Sequence, residues 1–180
     1  PRLVLFGGGH VSAAIARLAR SVGFHVTVGD DREAFANAER HPEAHATLCA
    51  PFAELARSIA PAEDHYLLAV SRGHDQDGDV LRALAAAGCR PKYVGMIGSK
   101  AKRAQVFERL LAEGVAPEFL DRVRTPMGLA IGARTHEEIA VSVVAEMIAV
   151  RRGAEAAAAP GAPGASGAPG RSARRTPRGS

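Results

Sequence analysis

The sequence predicts an α/β fold in which an open parallel sheet carries helices on both faces, and three observations predict it. First, the stretch "LVLFGGGHVSAAIARLARSVGFHVTVGDD", Leu3 to Asp31, runs from a short continuous apolar segment through a glycine turn into a helical pattern. Second, strand-like and helix-like segments alternate as far as Arg152, the pattern of a parallel sheet wrapped on both sides. Third, the second strand ends on Asp30 and Asp31, where a dinucleotide-binding βαβ unit places its acid. Together these make the predicted architecture Rossmann-like.

Each element has its own warrant. Leu3 to Phe6 is a buried parallel strand. Val11, Ile15, Leu18, Ala19 and Val22 recur at helical spacing, and Gly23 closes that helix because the residue after a helix often takes positive φ. His25 to Gly29 is the second strand and Ala46 to Cys49 the third, followed by a short helix from Phe52 to Ile59. Tyr66 to Val70 is a strong fourth strand, and the loop "SRGHDQDGD" leads from it to a helix over Val80 to Ala87. Tyr93 to Ile97 is the fifth strand, "GSKAK" turns into a helix from Ala101 to Glu113, and Pro117 to Val123 is a short helical piece. In the last helix, "THEEIAVSVVAEMIAVRR", Thr135 and Glu138 have the capping-box spacing, in which hydroxyl and carboxylate satisfy each other's free N–H groups.

Composition bounds the rest. The chain has 180 residues, 47% of them hydrophobic, enough for one domain-sized core. From residue 151 onward, Arg151, Arg152, Arg171, Arg174, Arg175 and Arg178 face only Glu155, which exceeds the whole chain's net charge of +4. The predicted domain, residues 1–152, is therefore close to neutral. The segment 153–180 is almost entirely Ala, Gly, Pro, Ser and Arg, with no large apolar side chain to offset the entropy of ordering, and is expected to be a disordered tail. Its arginines suit acidic partners, but a solubilising extension is the simpler reading, and no nucleic-acid partner is expected. Cys49 and Cys89 stand far apart without a CxxC partner, so they are expected to be reduced, buried thiols of a cytoplasmic protein. No apolar run reaches the roughly 18 residues of a membrane span. Pro1 and Arg2 abut the first apolar run, as at a domain boundary.

Three polar clusters fall at strand ends. In the first, Gly7 permits the tight turn, Gly9 lets the backbone approach phosphate, and Ser12 replaces the third glycine of the fingerprint, small enough for helix–strand packing and able to reach a phosphate oxygen. Gly8, His10 and Val11 complete that loop, and Asp30 and Asp31 stand ready either for ribose hydroxyls or to cap the next short helix. The second cluster is Arg72, Gly73, His74, Asp75, Asp77 and Asp79, in a loop sharing the carboxyl edge with the glycine turn. His74 suits general acid–base work, metal ligation or a plain surface position. Calcium is excluded, because an EF-hand needs Gly and Glu where Val80 and Ala86 stand. The third cluster, Gly98, Ser99 and Lys100, lies at a strand-to-helix junction with Lys102 and Arg103 nearby; it suits an anion but lacks Walker A spacing.

The blocks "GGGHVSAAIARLARSVGFHVTVGDDR", "SRGHDQDGDVLRAL", "YVGMIGSKAKRAQVFERL" and "PMGLAIGARTHEEIAVSVVAEMIAVRRG" occur in order and span about residues 3 to 153. Together they resemble the C-terminal Rossmann-type domain of the XdhC/CoxI family, accessory proteins of molybdenum hydroxylases such as xanthine dehydrogenase. The resemblance implies a non-catalytic, chaperone-like protein that binds molybdenum cofactor (molybdopterin, with or without an added nucleotide), protects it during sulfuration and assists its insertion. It implies as partners an apo molybdenum hydroxylase and a cysteine desulfurase, with an isologous homodimer as the default assembly. Family members typically carry a further N-terminal domain with a motif cysteine, a role that neither Cys49 nor Cys89 matches. The phosphate is assigned to Gly7, Gly9, His10 and Ser12, a hydroxyl or pterin edge to Asp30, and the rim to Arg72, His74, Ser99 and Lys100. Two other readings share the same unit: an NAD(P)-dependent oxidoreductase, and a regulatory nucleotide sensor.

Overall fold

The computed structural model describes residues 1–60, 62–88 and 90–154. Six parallel strands form one sheet in the order β3-β2-β1-β4-β5-β6. The strands are β1 (Arg2–Phe6), β2 (His25–Asp30), β3 (Ala46–Cys49), β4 (His65–Ala69), β5 (Tyr93–Met96) and β6 (Val123–Arg124). The helices are α1 (His10–Ser21), α2 (Phe52–Ser58), α3 (His74–Ala86), α4 (Lys100–Ala112), α5 (Pro117–Leu120) and α6 (His136–Arg152), with a single 3₁₀ turn at Glu33–Phe35. The predicted Rossmann-like sheet is thus observed, and its strand order reverses between β1 and β4, where open α/β sheets place their ligands.

Alternation along the strands builds two cores. Val4 and Phe6 of β1, Leu67 and Ala69 of β4, and Val94 and Met96 of β5 pack against α2, α3 and α4. Leu3 and Leu5, Val26 and Val28, and Tyr66 and Leu68 point the other way, against α1 and α6. α1 and α6 run side by side in the same direction: their first residues stack ring on ring, and near their far ends Arg151 donates to the carbonyl of Val22 at 2.9 Å. Both helices therefore start at the carboxyl edge of the sheet. The capping box of α6 is present, with Thr135 and Glu138 each accepting from the other's backbone N–H.

Three expectations change. α3 starts at His74 rather than at Val80, because Asp75 and Asp77 complement the helix dipole in its first turn. Gly78 is tolerated inside that helix because the Arg109 guanidinium lies where its side chain would be, an added Cβ coming 1.8 Å from Nη2. Residues Val123–Arg124 form a sixth strand instead of ending a helical piece. Cys49 is exposed, since β3 is the sheet's edge strand. Cys89 and, of the tail expected to be disordered over 153–180, residues 155–180 lie outside the described residues.

Candidate functional site

The three glycines after β1 play different parts. Gly7 has φ +123°, donates to the Gly29 carbonyl at 2.7 Å, and an added Cβ would sit 2.4 Å from the Val70 carbonyl oxygen. Gly8 is held at both backbone groups: its N–H donates to Asp30 Oδ2 at 2.8 Å and its carbonyl accepts from Arg40 Nε at 3.0 Å. A Cβ there would meet the Phe35 carbonyl oxygen at 2.0 Å. Gly9 differs. It precedes α1 with φ −76°, a conformation open to any residue, and an added Cβ would meet nothing within 4 Å. The chain itself demands the first two glycines and not the third.

Beyond Gly9 the α1 start is electrostatically bare. Its first turn holds no acid and its N-cap offers no side-chain acceptor. The first intrahelical bond is from Ala13 N–H to the Gly9 carbonyl at 3.1 Å, so the amides before it keep the positive end of the helix dipole unanswered. Ser12, fully buried where the fingerprint has glycine, has an Oγ with no hydrogen-bond partner among the described residues.

A cavity of about 180 Å³ opens on this turn. Of the residues predicted for the site, Gly9, His10, Val11, Asp30 and Arg72 line it; Arg32, Val70, Ser71, Ile97 and His136 join them. His136 and Ser71 were not singled out in the sequence. The available signal for His136 was its place directly after a capping Thr, as the first residue of a helix that tertiary packing brings beside α1. Its ring stacks on that of His10, with centroids 5.4 Å apart and planes 9° apart.

Asp30 and the predicted residues outside this cavity are engaged elsewhere in the chain. Asp30, 1% exposed, spends both oxygens inside the protein: Oδ2 on Gly8 N–H and Arg32 Nη2, Oδ1 on the Arg32 amide and Nε. Burial pushes its carboxyl up, but these donors outweigh burial and hold it below the ordinary carboxylate value. Asp31 takes a bridging position between Arg32 at 3.6 Å and Arg72 at 3.5 Å. Gly73 is the N-cap of α3. His74 lines a separate groove between α3 and α4 with Asp75 and Arg109. Ser99 caps α4 by accepting from Lys102 N–H at 3.2 Å, and Gly98 and Lys100 flank it outside the cavity.

Lys102 is not a free cation. It passes over Gly98, whose added Cβ would come 2.5 Å from its Cδ, and pairs with the fully buried Asp77. Asp77 also accepts from the amide of Ser71 at 3.0 Å and from its hydroxyl. Burial pushes the Asp77 carboxyl up against the pull of Lys102 and Ser71. This network fastens the β4–α3 loop to the first turn of α4. Among the described residues no group of three or more His, Cys, Asp or Glu side chains gathers to hold a metal ion, and no helix is long and apolar enough to cross a membrane.

Residues 3–147 match the XdhC Rossmann domain as a family. The chain belongs to that family. The XdhC-type domain is 36% identical over 156 residues to YqeB of Escherichia coli strain K12, a match covering 86% of this chain and 28% of that protein. It is 37% identical over 153 residues to a probable xanthine dehydrogenase subunit of Bacillus subtilis strain 168, covering 84% of this chain and 43% of that one. Among solved structures it resembles one described as a xanthine dehydrogenase from Bacillus halodurans, with 30% identity and a TM-score of 0.74, over 88% of this chain and 45% of that one. The XdhC-type domain thus spans less than half the length of each of these relatives.

Proposed function

We propose that this domain holds the phosphate end of molybdenum cofactor at the start of α1, within an accessory protein serving a xanthine dehydrogenase-type molybdenum hydroxylase. The names carried by two relatives point to xanthine dehydrogenase, and the XdhC family ties that enzyme to cofactor maturation. One observation supports the binding step: Gly9 leaves a space that nothing in the chain needs, in front of the unpaired amides at the start of α1. An anionic phosphate fits that environment, because helix N-termini favour negative charge and N–H donors converge there. Arg72 flanks the same space. When bound, the cofactor supplies the molybdenum centre that the hydroxylase uses; the residues here bind and orient it.

The same reading makes the protein a factor that shields the cofactor, assists its sulfuration together with a cysteine desulfurase, and delivers it to the apo-hydroxylase in the cytoplasm. A homodimer is the default assembly. Recognition of a ribose diol by Asp30 is the weaker reading, since both carboxylate oxygens already accept from the chain.

The test is anaerobic equilibrium binding of molybdenum cofactor to the chain, with NAD and NADP as competitors and Gly9→Asp as control. Saturable cofactor binding that NAD does not displace and that Gly9→Asp abolishes is the expected result. NAD binding lost in the same variant, without cofactor binding, would replace this reading by a nucleotide sensor or an NAD-dependent oxidoreductase.

A further inference from the structure

A second concavity, of about 300 Å³, lies along the outward flank of α1 and shares His10 and His136 with the crevice. Its size is at the lower end of small-molecule sites. Three features define what it would hold.

The first is His41, 2% exposed. Its Nε2 lies 2.9 Å from the Phe35 carbonyl oxygen, which only accepts, so Nε2 carries the hydrogen and Nδ1 presents a bare lone pair. That Nδ1 is buried and has no partner among the described residues. Burial also holds the ring below the ordinary histidine pKa, which keeps the lone pair free. A buried acceptor without a donor is costly and rare in native structures.

The second feature is the exposed His10–His136 stack, whose parallel planes offer a platform to a third ring. The third is charge. Arg17 and Arg40 line the pocket. Of the two acids there, Glu43 lies 3.9 Å from Arg20, and the other is Glu137.

We propose that this pocket receives the planar, N–H-bearing heterocycle of a phosphorylated ligand, which lies against the imidazole pair and donates to His41 Nδ1 while its phosphate sits at the α1 amides. The proposal rests on the phosphate site proposed above and adds to it a place for the ring of such a ligand, between His41 and the imidazole pair. His10 and His136, common to both cavities, join the two halves of the site.

Calorimetric titration of the full chain with GMP, guanosine and inorganic phosphate tests it, using Gly9→Asp, His41→Gln and His136→Ala. Guanine supplies ring and exocyclic N–H donors. GMP is expected to bind more tightly than phosphate. In His41→Gln and His136→Ala the ratio of GMP to phosphate affinity should fall about tenfold, within what one base–ring stack contributes. His136→Ala, at an exposed first-turn position, keeps the test valid if His41→Gln fails to fold. GMP binding lost in Gly9→Asp but with an unchanged ratio in the other two variants overturns the ring pocket and leaves the phosphate site standing. GMP binding no tighter than guanosine binding, weakened by His136→Ala and indifferent to Gly9→Asp, supports the ring pocket and overturns the phosphate site. No binding of any of the three overturns both.

Discussion

Asp30 reaches back from the end of β2 to accept the amide of Gly8 at 2.8 Å, so the tip of one strand holds the turn that follows its neighbour. Arg40, from the segment before β3, takes the carbonyl of the same Gly8. The glycine turn is thereby fixed from both sides before any ligand arrives, and such preorganisation lowers the ordering cost of binding. The acid that a fingerprint reading assigns to a ribose is here part of the frame of the glycine turn.

Asp30→Asn should therefore destabilise the fold by about 2–3 kcal/mol, the range for buried hydrogen bonds to a charged group. The amide brings an N–H2 toward donors that need an acceptor. Because the folded carboxyl titrates below its ordinary value, its contribution is complete above that value and is lost as pH falls through the folded one. Urea denaturation of both proteins from neutral to acid pH should show the gap narrowing as pH drops. A gap independent of pH would place the effect in packing rather than in charge.

The glycine turn, the strand sequence and the capping box were legible because each rests on local chemistry: apolar runs, a positive-φ glycine, a Thr and a Glu three residues apart. What was not legible rests on contacts made at long range. The string Asp75, Asp77, Gly78, Asp79 reads as a loop until Arg109 of α4 is seen filling the space above Gly78. Lys102 reads as an anion-binding cation until Asp77 is found buried against it. The pairing of His10 with His136 depends on α1 and α6 lying side by side, which no local pattern announces.

Lys102→Met should cost about 3–5 kcal/mol near neutral pH, since removing one partner leaves the Asp77 charge buried and uncompensated. Burial already pushes that carboxyl up, and losing Lys102 removes a pull in the other direction. A carboxyl raised on folding loses stability as pH rises through its folded value. The penalty should thus shrink as denaturation is repeated at lower pH. A penalty that stays constant down to about pH 4, near the ordinary carboxylate value, would mean that the pair is held by packing of the lysine stem alone.

Gly78→Ala should be close to neutral, within about 1 kcal/mol. The atom in the way is the end of a flexible guanidinium, which can swing out at the expense of its bonds to Asp75. An exposed pair of that kind contributes little. Against it stands a gain of up to about 1 kcal/mol for replacing glycine within a helix. Thermal melts of Gly78→Ala and Arg109→Ala settle the balance: a loss above roughly 2 kcal/mol in the first alone would show that the guanidinium has nowhere to go.

Gly7→Ala and Gly9→Ala separate the glycine that the fold requires from the one at the proposed phosphate site. At Gly7 a methyl group would combine a left-handed φ with a clash against the backbone oxygen of Val70, so a loss of at least about 2 kcal/mol is expected. That corresponds to a fall in Tm of roughly 4 °C or more for a domain of this size. At Gly9 the backbone is ordinary and the space empty, so the cost should be confined to the cap, about 1 kcal/mol or less. The methyl would nevertheless stand where a phosphate oxygen approaches the α1 amides, and affinity for a phosphate-bearing ligand should drop at least about tenfold. Melting curves and phosphate or cofactor titrations on the two variants give four numbers. A stable Gly9→Ala that binds as well as the unmodified chain would show that the space before α1 is not where the phosphate goes.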